Sequence, residues 1–584
     1  MKTSDGEHAL SRGGLSFDLT VRPWIGVLTV DGEQEEVSLR EVFARAGRLQ
    51  RIVGDVPTQE FALLRLLLAI AHDALDGPAD TDAWADLWSD EDCFAPVAAY
   101  LDQHQQRFDL LHPRMPFFQT AGLRTARDEV FSLNRIVADV PNGEPFFTAR
   151  MPAVDRLSFA EAARWVVHAH AYDTSGIKTG VAGDERAKGG KVYPLGVGWA
   201  GNLGGVFVEG ATLRETLLLN LIAASEAGTA GGADTVAEGG DRPAWRREPC
   251  GPGAAPVRQP AGVRDLYTWQ TRRLRLHFDQ DGVHGVVLGY GDPLAPRNLH
   301  GSEPMTAWRR SQVQEKKLGV TPVYLPLEHD PARAAWRGLA SLIAERPGTA
   351  QGAEAAARLR PGVLEWVARL VSEGELPRGF LIRTRVVGAV YGTQQSVIDE
   401  IVDDRLAMAV VLLHQQDRVF AQQAVDAVAD AEHAVTALGD LATDLARASG
   451  AETDGPRAAA RELGFAALDD PYRVWLMHLG ERPDPYAARD EWRRDVHRTV
   501  GRLGRQLLVQ AGDTAWEGRV VATSKGSVWL NSSRAESWFF YRLGTALGWP
   551  GQDAEVNPAD GNAEPATAGP ATAGSLSTPE GTLS

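Results

Sequence analysis

Cysteine is nearly absent: Cys93 and Cys250 are the only two in 584 residues, far apart and outside any CxxC spacing. Neither a disulfide framework nor a cysteine-ligated zinc site can be assembled from them. No run of about eighteen apolar residues occurs, so no transmembrane helix is expected. Met1 is followed by polar Lys2, Thr3, Ser4 and Asp5, where a secretory signal needs an apolar core, so a cytoplasmic chain without membrane attachment is expected. Positive charge is in deficit, with a net charge of -17. That excludes indiscriminate coating of DNA, which depends on cations displacing phosphate counterions, and any nucleic-acid contact must be local. The familiar catalytic cassettes are missing too: there is no GxxxxGK[ST], HExxH or GxSxG, and no GxGxxG between a strand and a helix.

What is present suffices for two or three domains with real cores: 44% of residues are hydrophobic and 23% charged. The opening reads as strand (Phe17 to Val21), strand (Trp24 to Val30), an Asp31-Gly32 turn, then a helix under a Ser38/Glu41 capping box. Thr58 is placed as the cap of an apolar, buried helix from about Glu60 to His72. Thr174 to Gly205 is too rich in glycine for continuous helix or strand, and Thr212 with Glu215 forms a second capping box before Leu217 to Ile222. The Gly, Ala and Pro composition of residues 224–262 predicts a mobile insertion, and Tyr267 to Phe278 a strand. From Leu406 through Val410, Leu413 and Phe420 to Leu438 the apolar recurrence is helical, and a partner helix follows through Trp492, Val496, Val500, Leu503 and Leu507. Short connections favour an antiparallel bundle. The tail after Pro550 has a disordered composition.

Basic runs at Arg272, Arg273 and Arg275, and at Arg309, Arg310, Lys316 and Lys317, read most simply as solvated faces. Paired carboxylates Asp403-Asp404 and Asp469-Asp470 are read as helix-end residues meeting the helix dipole. His168 and His170 with Asp173 lack a second ligand motif, so packing histidines are preferred over a metal site. Three loops carry more chemistry. Phe146, Phe147 and Thr148 sit between prolines, where aromatics suit base stacking or anchoring to a core. Gly176 to Gly180 can offer bare backbone N–H groups, and Lys178 adds a phosphate-seeking charge. Thr393, Gln394 and Gln395 form a turn whose amides can donate and accept together at an opened base pair. Arg494, Arg498, Arg502 and Arg505 recur at four, four and three residues, one helix face suited to a DNA backbone.

The order of these loops, with Met115 to Leu123 (MPFFQTAGL) before them, Gly204 to Gly210 with Leu217 to Leu221, and Thr393 to Ile398, resembles the CasA-type large subunit of the type I-E CRISPR Cascade complex. The resemblance implies an α+β fold: a large mixed N-terminal domain, residues 1–395, then an antiparallel four-helix bundle, residues 396–549, and a tail, 550–584. It implies a non-catalytic subunit without metal or cofactor. Such a subunit joins a guide-RNA complex, recognises the protospacer-adjacent motif in double-stranded target DNA, helps open the duplex into an R-loop and supports recruitment of a helicase-nuclease. Carried over by position, Phe146 or Phe147 with Thr148 docks near the guide's 5′ handle. Gly176 to Gly180 is the glycine loop, and Gln394 the wedge flanked by Thr393 and Gln395. Arg297, in Asp292 to Asn298, stands where relatives supply a basic finger. The competing readings are a hydrolase whose metal is held by His168, His170 and Asp173, and a purely structural adaptor.

Overall fold

The computed structural model describes residues 15–138, 154–223, 240–254, 258–344, 355–523 and 526–549. Phe146, Phe147 and Thr148, residues 224–239 and 255–257 of the 224–262 insertion, and the tail lie outside them. The chain divides into two compact units, one of Met1–Ala429 with Ala466–Arg494, the other of Asp430–Phe465 with Asp495–Ser584.

The first unit opens with a three-stranded antiparallel sheet in which Ile25–Thr29 lies between Gln34–Val37 and Leu49–Ile52. Gly32 takes a φ of 87° in the first turn, which explains its glycine, and the Ser38/Glu41 capping box is formed. Phe17 to Val21 is not a strand. The Asp18 carboxylate accepts from the Thr20 N–H and hydroxyl at 2.9 and 2.7 Å, which turns the chain locally and leaves a single bridge to Asp109.

The helix Pro57–Ala74 is the buried centre of this unit. Thr58 does not cap it. Pro57 occupies the first turn, Val56 is the cap position, and the Thr58 hydroxyl is instead hydrogen-bonded to His168 Nε2 at 3.0 Å in the core. Arg65 on this helix forks onto Glu303 at 2.9 and 2.7 Å, and Trp199 Nε1 donates to the same carboxylate at 2.7 Å. A buried ion pair is tolerable because the remaining lone pairs are satisfied in this way.

A second sheet orders Ile398–Ala409, Leu381–Tyr391 and Gly205–Glu209, all antiparallel. Its two long strands form a hairpin that turns at Thr393–Gln395. The helical stripe expected from Leu406 therefore begins too early. Leu406 and Met408 alternate inward as strand residues, Val410–Leu413 is a short 3-10 turn, and the continuous helix is Arg418–Ser449. Asp403 and Asp404 are strand residues, not helix-end ones. Asp403 pairs with Arg385 at 2.6 Å and Asp404 with Arg473 at 2.9 Å. Asp469 lies inside the helix Asp454–His478 and accepts from Trp336 Nε1 at 2.7 Å.

The hairpin Arg272–Asp279 with Gly282–Tyr290 starts later than expected, because Val263–Tyr267 is helical. Its Arg272 and Arg273 are buried rather than solvated. Residues 240–254 of the expected mobile insertion are pinned: Trp245 is buried, and Arg107 donates to the carbonyls of Arg247 and Ala244 at 2.7 and 3.2 Å.

Still within the first unit, Tyr472 and Trp492 cross over to the carbonyls of Ala424 and Ala427, each at 2.9 Å. In the second unit the part of the helix Pro485–Gln510 after Arg494 meets the helix Ser532–Ala546 at Gly504, where a Cβ would stand 2.2 Å from the Phe539 ring. Between those helices lies a strand hairpin, Arg519–Thr523 with Gly526–Leu530, that periodicity did not signal. Trp492, Val496, Val500 and Leu503 are buried, as the stripe predicts. Among the described residues no helix is long and apolar enough to cross a membrane.

Candidate nucleic-acid interface

The tip of the long hairpin is tight and exposed. A bulge at Val390/Tyr391 ends the regular register, the Gly392 N–H donates to Val397 O at 3.1 Å, and the Gln395 N–H donates to Gly392 O at 2.8 Å. Gln394 and Gln395 both take left-handed backbone conformations, with φ of 56° and 54°. That region is sparsely occupied by residues with a Cβ and costs energy that the surrounding stem must supply. Below the tip the stem is fixed: the Tyr391 hydroxyl donates to Tyr172 O at 2.7 Å, and a Cβ at Gly392 would collide with the Asp399 carboxylate. Thr393 and Gln394 are exposed and Gln395 is half-buried. An amide is thus presented to solvent on a rigid stem, able to donate and accept at once.

The glycine loop packs directly against this turn. The Ser175 N–H donates to Gln395 O at 2.7 Å, and a Cβ built on Gly176 would lie 3.8 Å from the Ser396 side chain. Gly176 is further held by the Tyr290 hydroxyl, 2.8 Å from its carbonyl. Two loops read separately in the sequence form one surface.

Lys178 does not fit the phosphate-seeking role. It is buried, its Nζ lies 2.6 Å from Asp173, and Arg272 Nε donates to the same carboxylate. Burial pulls the lysine below its ordinary range. For Asp173 burial acts upward, but Lys178 and Arg272 outweigh it and hold the carboxyl low. Nor is Gly180 open for close approach by a ligand: it follows the strand Lys178–Thr179, which pairs antiparallel with Lys191–Val192, and a Cβ there would meet the Ala187 Cβ at 2.7 Å, so its glycine serves this short hairpin's own packing. The exposed cations on this hairpin are Lys188 and Lys191, which sequence reasoning missed. They flank Gly189 and Gly190, both left-handed with nothing within 4 Å of a built Cβ. The sequence Lys-Gly-Gly-Lys was the available signal, a two-residue turn of the type that demands positive φ.

His168 and His170 are core residues. His168 meets Thr58, and His170 Nε2 lies 2.8 Å from Phe118 O. Burial lowers them to about 3 and about 4, so both stay neutral. With Asp173 committed to Lys178 and Arg272, these three side chains serve separate partners. Arg297 is exposed and has no carboxylate partner among the described residues. Arg494, Arg498, Arg502 and Arg505 are all exposed. Arg498 pairs with Asp495, and Arg505 lies over the Phe540 ring at 5.6 Å. The MPFFQTAGL segment is scaffold: Phe117 and Phe118 stack at 4.3 Å, and Gln119 Oε1 accepts from the Leu276 N–H at 2.9 Å.

The mixed α/β fold is shared with solved structures. The crystal structure of Thermobifida fusca Cse1 is 57% identical, covers 92% of this chain and 99% of that one, and superposes with a TM-score of 0.83. A chain of a CRISPR RNA-guided surveillance complex, 18% identical and covering 85% of this chain and 99% of its own, has a TM-score of 0.60, a likeness of fold alone. Among curated proteins, CRISPR-associated protein CasA/Cse1 of Thermus thermophilus is 29% identical over 348 residues, 57% of this chain. The match spans 61% of that relative's length, under two thirds of it. The family model for CRISPR-associated protein Cse1 matches residues 18–503, and the chain belongs to that family.

Proposed function

We propose that this chain is the non-catalytic large subunit of a type I-E CRISPR RNA-guided surveillance complex, working in the cytoplasm with the guide RNA and its companion subunits. In this reading it inspects the protospacer-adjacent motif of double-stranded DNA, promotes strand opening into an R-loop, and supports recruitment of a helicase-nuclease. The long helices after Arg418 form the antiparallel four-helix bundle of the family.

The observation that carries the reading is the joined surface of Gln394, Gln395 and Gly176, held by the 2.7 Å bond from Ser175 to Gln395. A strained, exposed amide beside a loop without side-chain bulk suits insertion at a base step next to a groove. Lys188 and Lys191 supply positioning charge there, in place of Lys178, and Phe146 or Phe147 with Thr148 takes the role of docking to the guide complex. The test is Gln394→Ala in the reconstituted complex, with R-loop formation followed by strand-selective footprinting. Loss of one or two hydrogen bonds to a separated base pair should weaken opening by about tenfold, ~1.4 kcal/mol, with the fold intact. Unchanged R-loop yield across salt concentrations removes the wedge assignment.

A further inference from the structure

At the base of the same hairpin, away from its tip, lies a cleft of about 560 Å³. Arg383 and Arg385 are two apart on the strand Leu381–Tyr391 and so share a sheet face, and Arg405 is the register partner of Arg385 on the neighbouring strand. Arg51, from the strand Leu49–Ile52, lines the opposite wall. The carboxylates present do not balance them. Arg385 is buried and engages Asp403 and Glu60, each at 2.6 Å, while Arg405 engages Glu209 at 2.9 Å. Arg51 donates to the Ile52 carbonyl at 3.4 Å and, among the carboxylates of the described residues, reaches Glu60 at 3.6 Å, a group already held by Arg385. Arg383 is exposed and has no acidic partner among the described residues. Four guanidinium groups thus face three carboxylates, a local excess of positive charge in a chain of net -17.

We propose that this cleft binds a phosphate ester of nucleotide size. Guanidinium forks match phosphate oxygens, and a phosphate ester offers more acceptor oxygens than a carboxylate to share among Arg383, Arg405 and Arg51. The volume lies within the roughly 300–1,000 Å³ usual for small-molecule sites. Ile52, Leu64, Phe207 and Leu213 add apolar wall against which a sugar or base packs. Like charges facing across a strand pair, as Arg385 and Arg405 do, are unfavourable unless anions lie between them, and a bound phosphate completes that neutralisation. The site does not depend on the DNA-inspecting role proposed above. The same chemistry is offered by a free nucleotide and by a single-stranded segment, and the assay separates these sources.

The full chain is titrated calorimetrically with adenosine monophosphate, with inorganic phosphate, and with a short single-stranded oligodeoxynucleotide. Saturable binding of the nucleotide or the oligonucleotide is expected, weakened tenfold or more by Arg383→Ala and partly restored by Arg383→Lys. Because Arg383 is exposed and unpaired with any acid, the variant should unfold like the parent. Arg405→Ala should weaken the same ligand independently. Preference for the oligonucleotide at equal phosphate concentration identifies a strand as occupant, and preference for the mononucleotide a free ligand. Absence of saturable binding by all three probes, or full affinity in Arg383→Ala and Arg405→Ala, overturns the proposal.

Discussion

Lys178→Met separates two roles for one charge. In the structure the ammonium lies 2.6 Å from Asp173 Oδ2 with its side chain 9% exposed, and Arg272 Nε donates to that same oxygen. Removing one partner of a buried ion pair costs about 3–5 kcal/mol, since the remaining charge stays buried without compensation. Arg272 remains here, which puts the expected loss near the lower end, about 3 kcal/mol. Methionine preserves most of the apolar stem, so packing adds little. Urea unfolding followed by circular dichroism reads the loss directly. Affinity of the assembled complex for target DNA at several salt concentrations gives the contrasting quantity. A lysine bound to phosphate at this position would instead leave stability unchanged on substitution and lower the logarithmic salt slope by about 0.9. That second pattern, with a parental unfolding midpoint, refutes the structural role assigned to Lys178.

Arg498→Glu with Arg502→Glu should reduce both the affinity of the assembled complex for DNA and its salt slope, by about 0.7 to 0.9 for each phosphate no longer neutralised, while leaving flanking-motif preference alone. Equal slopes before and after would make these arginines solvating residues of the helix. His168→Gln should flatten the acid side of the stability curve. The buried imidazole stays neutral with a value of about 3, whereas the unfolded chain takes up a proton near 6.5. The unfolded state therefore binds more protons as pH falls, and stability is lost from pH 6.5 downward. Between pH 6.5 and 5 that amounts to about 2 kcal/mol for this residue. Parallel urea midpoints for parent and variant from pH 7 to 5 would refute the assignment.

Locally encoded features were legible in the sequence. The Ser38/Glu41 capping box forms as read, and Thr212 caps its helix from the Glu215 N–H, although the Glu215 carboxylate takes the Ala211 N–H. A third box, Ser158 with Glu161, was equally visible as Ser-x-x-Glu before an apolar run and was missed. The stripe through Trp492 and Val500 held because its period extends over several turns. At Leu406 a few helix-like spacings coincided with a strand whose true period is two. There the pairing of Leu406 with Thr384 decides, and that partner is remote in the chain.

The same division between local and remote explains which features of the candidate surface were legible. The glutamine turn and Gly176 were legible because turn chemistry and missing side-chain bulk belong to the segment itself. Charges were misread because a charge is free only when no partner reaches it, and partners are placed by topology. Arg272, Arg273 and Lys178 looked available and are buried against Asp173 and Asp292. Arg383 drew no notice in an apolar strand and stands without an acidic partner among the described residues. Nor could spacing reveal that Ser175 meets Gln395. That bond exists because Tyr391 ties the hairpin stem to Tyr172, at the end of the helix from which the glycine loop departs. The glutamine turn and the glycine loop therefore share the Tyr391 anchor, and displacement of the Tyr391 stem should move both together.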